Sequence, residues 1–381
     1  MPAVESQPKM DENVSAVSPE PNHEQPAQVE EEEVLSGTDD EAADDEEDQQ
    51  EQDVGKELDK KHYTGNIIDD DHPDVYEADA DLTKNIPIDT DYIELIHLKI
   101  RSLKDLQLGR FKNAESICLR QNLLESVSDV KHYNAEKLVE LDLYDNRIDH
   151  ISSHINELVN LTTLDLSFNK IKNIKNLDNL VKLENLYLIQ NKISDIKNLS
   201  TLQNLKNLEL GGNRIQTISA ELLTLPSIEK LWLGKNRITK LENLDKLKNL
   251  KILSIQSNRI SKIEGLEHCE NLEEFYISHN NLTKLEGLDK NVKLTTIDIT
   301  GNKIQKLENL DHLEELTDLW ASSNLIEDFE NIGQALKNCK QIDTVYFENN
   351  PVHLKNLTSY RRKIKLYLNP SLTKIDATYI Q

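Results

Sequence analysis

The chain has no apolar run long enough to span a bilayer, and its first residues, MPAVESQPKMDENV, lack the apolar core of a secretory signal. A soluble, intracellular protein is expected. The 3 cysteines agree with that, being odd in number and without CxxC spacing, so neither a disulfide framework nor a thiolate metal site is indicated. Catalytic signatures are missing as well. The 11 histidines are scattered, and there is no HExxH, GxSxG or P-loop. Glycine is scarce, at 11 residues, and its single pair, Gly211-Gly212, sits where neighbouring segments have Ile189-Gln190 or Gly234-Lys235, so it is not a phosphate loop. No enzyme, no metal site and no cofactor are expected.

Positive charge is lacking too, with a formal net charge of −25 that is unevenly spread. Residues 1 to 81 hold 28 acids against 4 bases, while the other 300 residues carry 41 acids and 40 bases. The acidic part contains EEEV and DDEAADDEEDQQEQD with almost no clustered apolar residues, and such a segment cannot bury enough surface to offset its ordering entropy. A disordered tail over residues 1 to 84 is expected. Its charge repels nucleic acid. Ser18 before Pro19, and Ser36 and Thr38 before an acidic run, are contexts for regulatory phosphorylation.

What the remainder does have is one string repeated. Residues 164 to 171 read LDLSFNKI, 186 to 193 LYLIQNKI, 208 to 215 LELGGNRI, 231 to 238 LWLGKNRI and 297 to 304 IDITGNKI. The asparagines fall at Asn122, Asn146, Asn169, Asn191, Asn213, Asn236, Asn258, Asn280, Asn302, Asn324 and Asn350, at intervals of 22 to 26 residues. This is a leucine-rich repeat of the short class. Leu186 and Leu188 have the period of two that a strand with one buried face requires, and stacked units pair these strands in parallel. Past the asparagine the apolar spacing becomes three, which suits a short 3₁₀ turn. The expected fold is therefore an α/β leucine-rich-repeat solenoid, with a curved parallel sheet on its concave face and short 3₁₀ or helical turns on its convex face. Each asparagine amide is expected to bond turn backbone that would otherwise be buried unpaired.

The repeat domain is placed at residues 85 to 350, and both ends of the stack need closing. Residues 93 to 106, IELIHLKIRSLKDL, match half a unit with Leu98 in place of the asparagine, which suits an N-terminal cap. Residues 351 to 381 abandon the repeat, and Tyr360, Ile364, Tyr367 and Leu368 offer an amphipathic helix as C-terminal cap. Cys269 and Cys339 occupy a core position of the repeat; Cys118 is expected on the exposed strand face.

The strand residue between the two inward leucines points to the concave face. Down the units it reads Cys118, Asp142, Asp165, Tyr187, Glu209, Trp232, Ser254, Tyr276, Asp298, Trp320 and Tyr346, including both tryptophans of the chain. The column two residues earlier runs from Glu140 through Asn207 and Lys230 to Asp318 and Thr344. From residue 140 onward the two columns hold seven acids, one base and five aromatics. Exposed rings ringed by charge are the composition of a protein-binding hot spot, and the acidic bias asks for a basic partner surface. Such a face is about 50 Å long at about 4.8 Å per strand, ample for a standard interface of roughly 800 Å² per partner.

CLRQN (118 to 122), ELDLYDN (140 to 146), LGKN (233 to 236), QSNR (256 to 259), KIEGL (262 to 266) and the ending YRRK with KIDATYI carry a resemblance outside the repeat-defining positions. From about residue 85 to 381 the chain resembles the leucine-rich-repeat regulatory subunit family of protein phosphatase 1. The resemblance implies a non-catalytic subunit, nuclear and cytoplasmic, that grips the phosphatase catalytic subunit with its concave face and controls its activity, maturation or localisation in mitosis and chromosome segregation. It also implies a ternary assembly with a small phosphatase inhibitor subunit. The family's contact positions fall on Asp165, Tyr187, Glu209, Trp232, Asp298, Asp318, Trp320 and Tyr346. Where the family often has phenylalanine, this chain has Tyr187 and Trp232. The tail lacks the basic-Val-x-Phe docking motif of other phosphatase regulators. The alternative is an adaptor in a splicing particle or cytoskeletal complex, whose related repeats are far fewer.

Overall fold

The computed structural model describes residues 67–69, 72–76, 79–134 and 136–380. The expected acidic tail, with its phosphorylation contexts at Ser18, Ser36 and Thr38, lies outside the described residues as far as residue 66. Within the segment assigned to that tail, β1 (Ile67–Asp69) and β2 (His72–Tyr76) pair antiparallel. A 3₁₀ turn follows at Asp79–Thr83, and the Thr83 hydroxyl, 1% exposed, donates to the Leu106 carbonyl at 3.1 Å. The folded unit thus begins a few residues ahead of the expected boundary at 85.

Three-residue strands then recur once per unit: β3 (Tyr92–Glu94), β4 (Ser116–Cys118), β5 (Glu140–Asp142), β6 (Thr163–Asp165), β7 (Asn185–Tyr187) and β8 (Asn207–Glu209). The series continues with β9 (Lys230–Trp232), β10 (Ile252–Ser254), β11 (Glu274–Tyr276), β12 (Thr296–Asp298), β13 (Asp318–Trp320) and β14 (Thr344–Tyr346). All pair in parallel with their sequence neighbours, in strict register: Leu164 faces Leu186, and Leu186 faces Leu208. The middle residue of each strand is inward; Leu141, Leu164, Leu186, Leu208 and Leu231 are wholly buried. Their return segments are tight, as the spacing of three requires: Leu180 N–H donates to Leu177 and Leu183 N–H to Leu180, each at 2.9 Å.

The asparagines do the expected work. In Asn191, 7% exposed, Nδ2 donates to the carbonyls of Leu166, Leu188 and Ile189 at 3.0, 3.2 and 3.2 Å, and Oδ1 accepts from the Ile171 N–H at 2.9 Å. Two of those four bonds reach back to the preceding unit, so the ladder staples the stack. The residue before each asparagine is left-handed, from Gln121 at φ 56° to Asn349 at φ 59°, which turns the backbone so that its carbonyls face the amide. A second ladder was not foreseen. Asn176, Asn198, Asn243 and Asn309 are also left-handed, and their Nδ2 groups donate to Ile151, Ile174, Ile218 and Leu285 of the preceding units at 2.6 to 2.7 Å. Gly265 and Gly287 take the same place; a Cβ on Gly287 would lie 2.4 Å from the Ile263 carbonyl oxygen.

Both ends are closed by departures from the repeat. At the first strand, Asn122 Oδ1 accepts from the N–H groups of Leu98 and Ile100 at 3.1 Å each, so the next unit's asparagine serves the half unit that has none. At the other end come α1 (Phe329–Ala335), α2 (Pro351–Leu354) and α3 (Tyr360–Tyr367), then β15 (Lys374–Ile375), parallel to β14, and β16 (Thr378–Tyr379), antiparallel to β15. The Asp376 side chain takes the place that a further strand's carbonyl has elsewhere in the stack, as Glu209 has for the Leu188 N–H: Oδ1 accepts from the Phe347 and Glu348 N–H groups at 3.0 and 3.2 Å and from the Tyr360 hydroxyl at 3.2 Å. Arg361 donates to the Ile375, Thr378 and Tyr379 carbonyls. YRRK and KIDATYI are thus two halves of one lock.

Candidate functional site

Because each strand buries its middle residue, its two outer residues stand on the open face of the sheet, and the parallel register lines them up. Asp142 lies beside Asp165, Asp165 beside Tyr187 and Tyr187 beside Glu209. Asp298 lies between Tyr276 and Trp320, and Trp320 beside Tyr346, with Asp318 on the other column of β13. All eight residues expected to contact a partner share this one face, in two groups.

The first group is acidic. Asp165 and Glu209 are half-buried, and burial raises the Glu209 carboxyl above its ordinary range; the Asn207 side chain, donating at 3.2 Å, opposes the rise, while Asp165 adds to it. Asp142 is raised for the same leading reason, and its bonds to the Tyr144 N–H at 3.0 Å and to Arg120 at 3.4 Å hold it down. These carboxylates are under-solvated and repel one another, so each gains from an approaching cation.

The second group is aromatic. Trp232 and Tyr276 have centroids 6.5 Å apart at 18°, Tyr276 and Trp320 6.1 Å at 49°, and Trp320 and Tyr346 6.2 Å at 70°. The first two contacts skip a strand: the rings lean over Ser254 and Asp298, which are only 5% and 6% exposed beneath them. Asp298 is therefore walled by rings instead of standing free. The two tryptophans differ. Trp232 Nε1 donates to Asn207 Oδ1 at 3.0 Å, whereas the buried Trp320 Nε1 has no partner. Tyr276 donates its hydroxyl to Glu274 at 2.6 Å.

Cys118 is corrected. It lies on the strand face as expected, yet it is 6% exposed with Sγ 3.8 Å from Asp142 Oδ2, and burial pushes its thiol up to about 11, so it is an inert thiol. Cys269 and Cys339 are fully buried, each donating to a carbonyl at 3.5 Å. Val345 and Phe347 are wholly buried within and after β14, so Val345-Tyr346-Phe347 offers no linear motif. Four further residues border the second group and were missed: Ser278, Thr300, Ser322 and Glu348, each two residues before a ladder asparagine, line a cavity with Asp298, Trp320 and Tyr346. Their shared place in the repeat was the available signal.

Among the described residues no group of three or more His, Cys, Asp or Glu is placed to hold a metal, and no helix is long and apolar enough to cross a membrane.

Comparison with known proteins agrees with this architecture. Residues 159–201, 203–244, 226–268 and 270–312 match the family described as Leucine Rich repeats (2 copies), and residues 112–171 match Leucine rich repeat. Among solved structures, an internalin of Listeria monocytogenes is similar at a TM-score of 0.65 with 24% identity over 81% of this chain and 85% of that one, which speaks for the fold. A leucine-rich-repeat protein of Leptospira interrogans follows at 0.58 with 26% identity, covering 72% of this chain and 74% of that one. Among curated proteins, the protein phosphatase 1 regulatory subunit SDS22 of Saccharomyces cerevisiae is 66% identical over 328 residues, 86% of this chain and 97% of the relative. The Schizosaccharomyces pombe protein of the same name is 48% identical over 87 residues, 23% of this chain and 25% of its own length. With the repeats, the cap and that identity together, the chain belongs to the SDS22 family of leucine-rich-repeat regulatory subunits of protein phosphatase 1.

Proposed function

We propose that the chain binds the protein phosphatase 1 catalytic subunit with the open, concave face of its sheet and thereby controls the enzyme's activity, maturation or localisation. The observation that carries this is the 66% identity to a regulatory subunit of that phosphatase over nearly its full length. The face supports it. An acidic group and an aromatic group lie on one register, a composition suited to a basic protein surface with desolvated anchors at its centre. Asp165, Tyr187, Glu209, Trp232, Asp298, Asp318, Trp320 and Tyr346 are the proposed contacts. The chain contributes no chemistry of its own; it works by what it covers and where it carries its partner.

The proposal extends to a small phosphatase inhibitor subunit as a third member, to action in mitosis and chromosome segregation, and to residence in nucleus and cytoplasm. Calorimetric titration of the full chain with purified catalytic subunit tests the core of it, with tight one-to-one binding expected. Absence of binding, together with capture of splicing or cytoskeletal components in a pull-down, would move the chain to the adaptor reading.

A further inference from the structure

The residue directly after each ladder asparagine is basic in unit after unit: Arg147, Lys170, Lys192, Arg214, Arg237 and Arg259, then Lys303 beyond the intervening Asn281. Asparagine, base and isoleucine alternate buried, exposed and buried, so the base stands outward on the rim where the strands end. Backbone fixes these rungs: the N–H groups of Lys192, Arg214, Arg237 and Arg259 each donate to an isoleucine carbonyl of the preceding unit at 2.8 Å. The opposite rim, just ahead of the strands, is built differently. There Glu184, Lys206, Glu229, Lys251 and Glu273 alternate in sign, and Lys206 pairs with Glu184 at 2.9 Å and Lys251 with Glu229 at 2.8 Å. Among the described residues no carboxylate forms an ion pair with any of the basic rungs.

Neighbouring rungs about 4.8 Å apart lie within the screening length of about 8 Å at physiological salt, so the column repels itself and gains from a polyanion laid along it. We propose that this basic rim, distinct from the open face of the sheet, docks an extended acidic peptide segment of a partner protein. From Arg147 to Lys303 the rungs span about 35 Å, which an extended chain of about ten residues covers. Such a chain is narrow enough to follow one column, and runs of Asp and Glu bring a carboxylate to base after base. The four arginine rungs add geometry to charge, since a guanidinium takes a carboxylate through two parallel N–H bonds. A single-stranded nucleic acid is served less well. Its bases are held by stacking on aromatic rings, and the column from Arg147 to Lys303 contains none.

The test is fluorescence anisotropy of the full chain with a labelled glutamate peptide of about 12 residues at ~0.15 M salt. A glutamine peptide and a uridine oligonucleotide of equal length are the comparison probes. The glutamate peptide should bind and the glutamine peptide should not. Arg214→Glu, Arg237→Glu and Arg259→Glu combined should weaken that binding more than about 10-fold, because each replaces an attraction with a repulsion. Arg237→Gln alone, which only removes a charge, should weaken it about 2- to 5-fold. Lys182→Glu, Lys206→Glu and Lys251→Glu combined, ahead of the strands, change the net charge equally and should leave affinity within about twofold of the parent. All the substituted side chains are at the surface, so every variant should melt close to the parent temperature. Equal losses from the two triple variants would reduce the effect to net charge and overturn the proposal. So would binding of both peptides alike, or of neither. Tighter binding of the oligonucleotide than of the glutamate peptide would overturn the peptide assignment and give the rim to nucleic acid.

Discussion

Strands β5 to β8 and strands β9 to β14 share one backbone geometry and one register, yet their open faces carry different chemistry. The earlier strands present Asp142, Asp165 and Glu209 around Tyr187. The later ones present a chain of rings from Trp232 to Tyr346 that bury Ser254 and Asp298 beneath them. Charges act over a distance set by salt and chiefly govern how fast partners meet. Large rings act only in contact and govern how long they stay. In the proposed complex the repeated scaffold offers a steering half and a holding half, and the division follows from one outer strand position.

The comparison breaks most completely if the shared scaffold fails. Leu166→Ala, inward and one residue from Asp165, should lower stability by about 2 to 5 kcal/mol, because Leu166 is wholly buried and its neighbours in the stack cannot close the gap. Denaturant unfolding measures it, and a loss under 1 kcal/mol would show a core looser than described. Next is the staple at the border of the halves. Asn213 donates to Leu188, Leu210 and Gly211 and accepts from Ile193, so Asn213→Leu should cost about 1 to 3 kcal/mol in the same assay.

The holding half is probed by Trp232→Ala and Trp320→Ala, each expected to weaken phosphatase binding by about 2 kcal/mol with the fold intact, since neither ring fills the core. The loss should be nearly independent of salt. The smallest effect belongs to the steering half and to pH. Glu209 has its carboxyl raised by burial, so the folded state keeps its proton to a higher pH than the unfolded chain does, and stability declines as pH rises through that window. Glu209→Gln should therefore leave the free protein at least as stable at pH 7. For binding the sign reverses: the cationic partner wants the ionised form, so affinity should rise with pH through the raised pKa, and Glu209→Gln should flatten that slope in titrations at several pH values.

Much of this was legible beforehand, for a physical reason. A period of two assigns faces within a strand and a period near 22 assigns neighbours across strands, so Asp165, Tyr187 and Trp320 can be placed on one surface without coordinates. The asparagine ladder was legible because a buried amide in every turn has one plausible task. What the period hid depends on side-chain lean and on caps. Asp298 and Ser254 look open in their column, but the rings that cover them sit one strand away on either side. Cys118 looked accessible until Asp142 closed over it. Trp232 and Trp320 occupy the same repeat position, and only the Asn207 amide distinguishes their N–H groups. Asp376 stands in a segment without the repeat's leucine pattern, so its role as acceptor for the last full strand's N–H groups emerges only once β15 is seen beside β14.

The central claim, that one face both steers and holds the phosphatase, is tested most directly by association and dissociation rates of the catalytic subunit, measured over a range of salt for Asp165→Lys, Trp320→Ala and Val181→Asp. Val181 is 48% exposed in a return segment away from the sheet and serves as the control. The account predicts that Asp165→Lys slows association by an amount that shrinks as salt rises, that Trp320→Ala speeds dissociation at every salt concentration, and that Val181→Asp changes neither. Parent-like rates for both sheet variants, with binding lost in Val181→Asp, would contradict it and place the phosphatase on the opposite side of the stack.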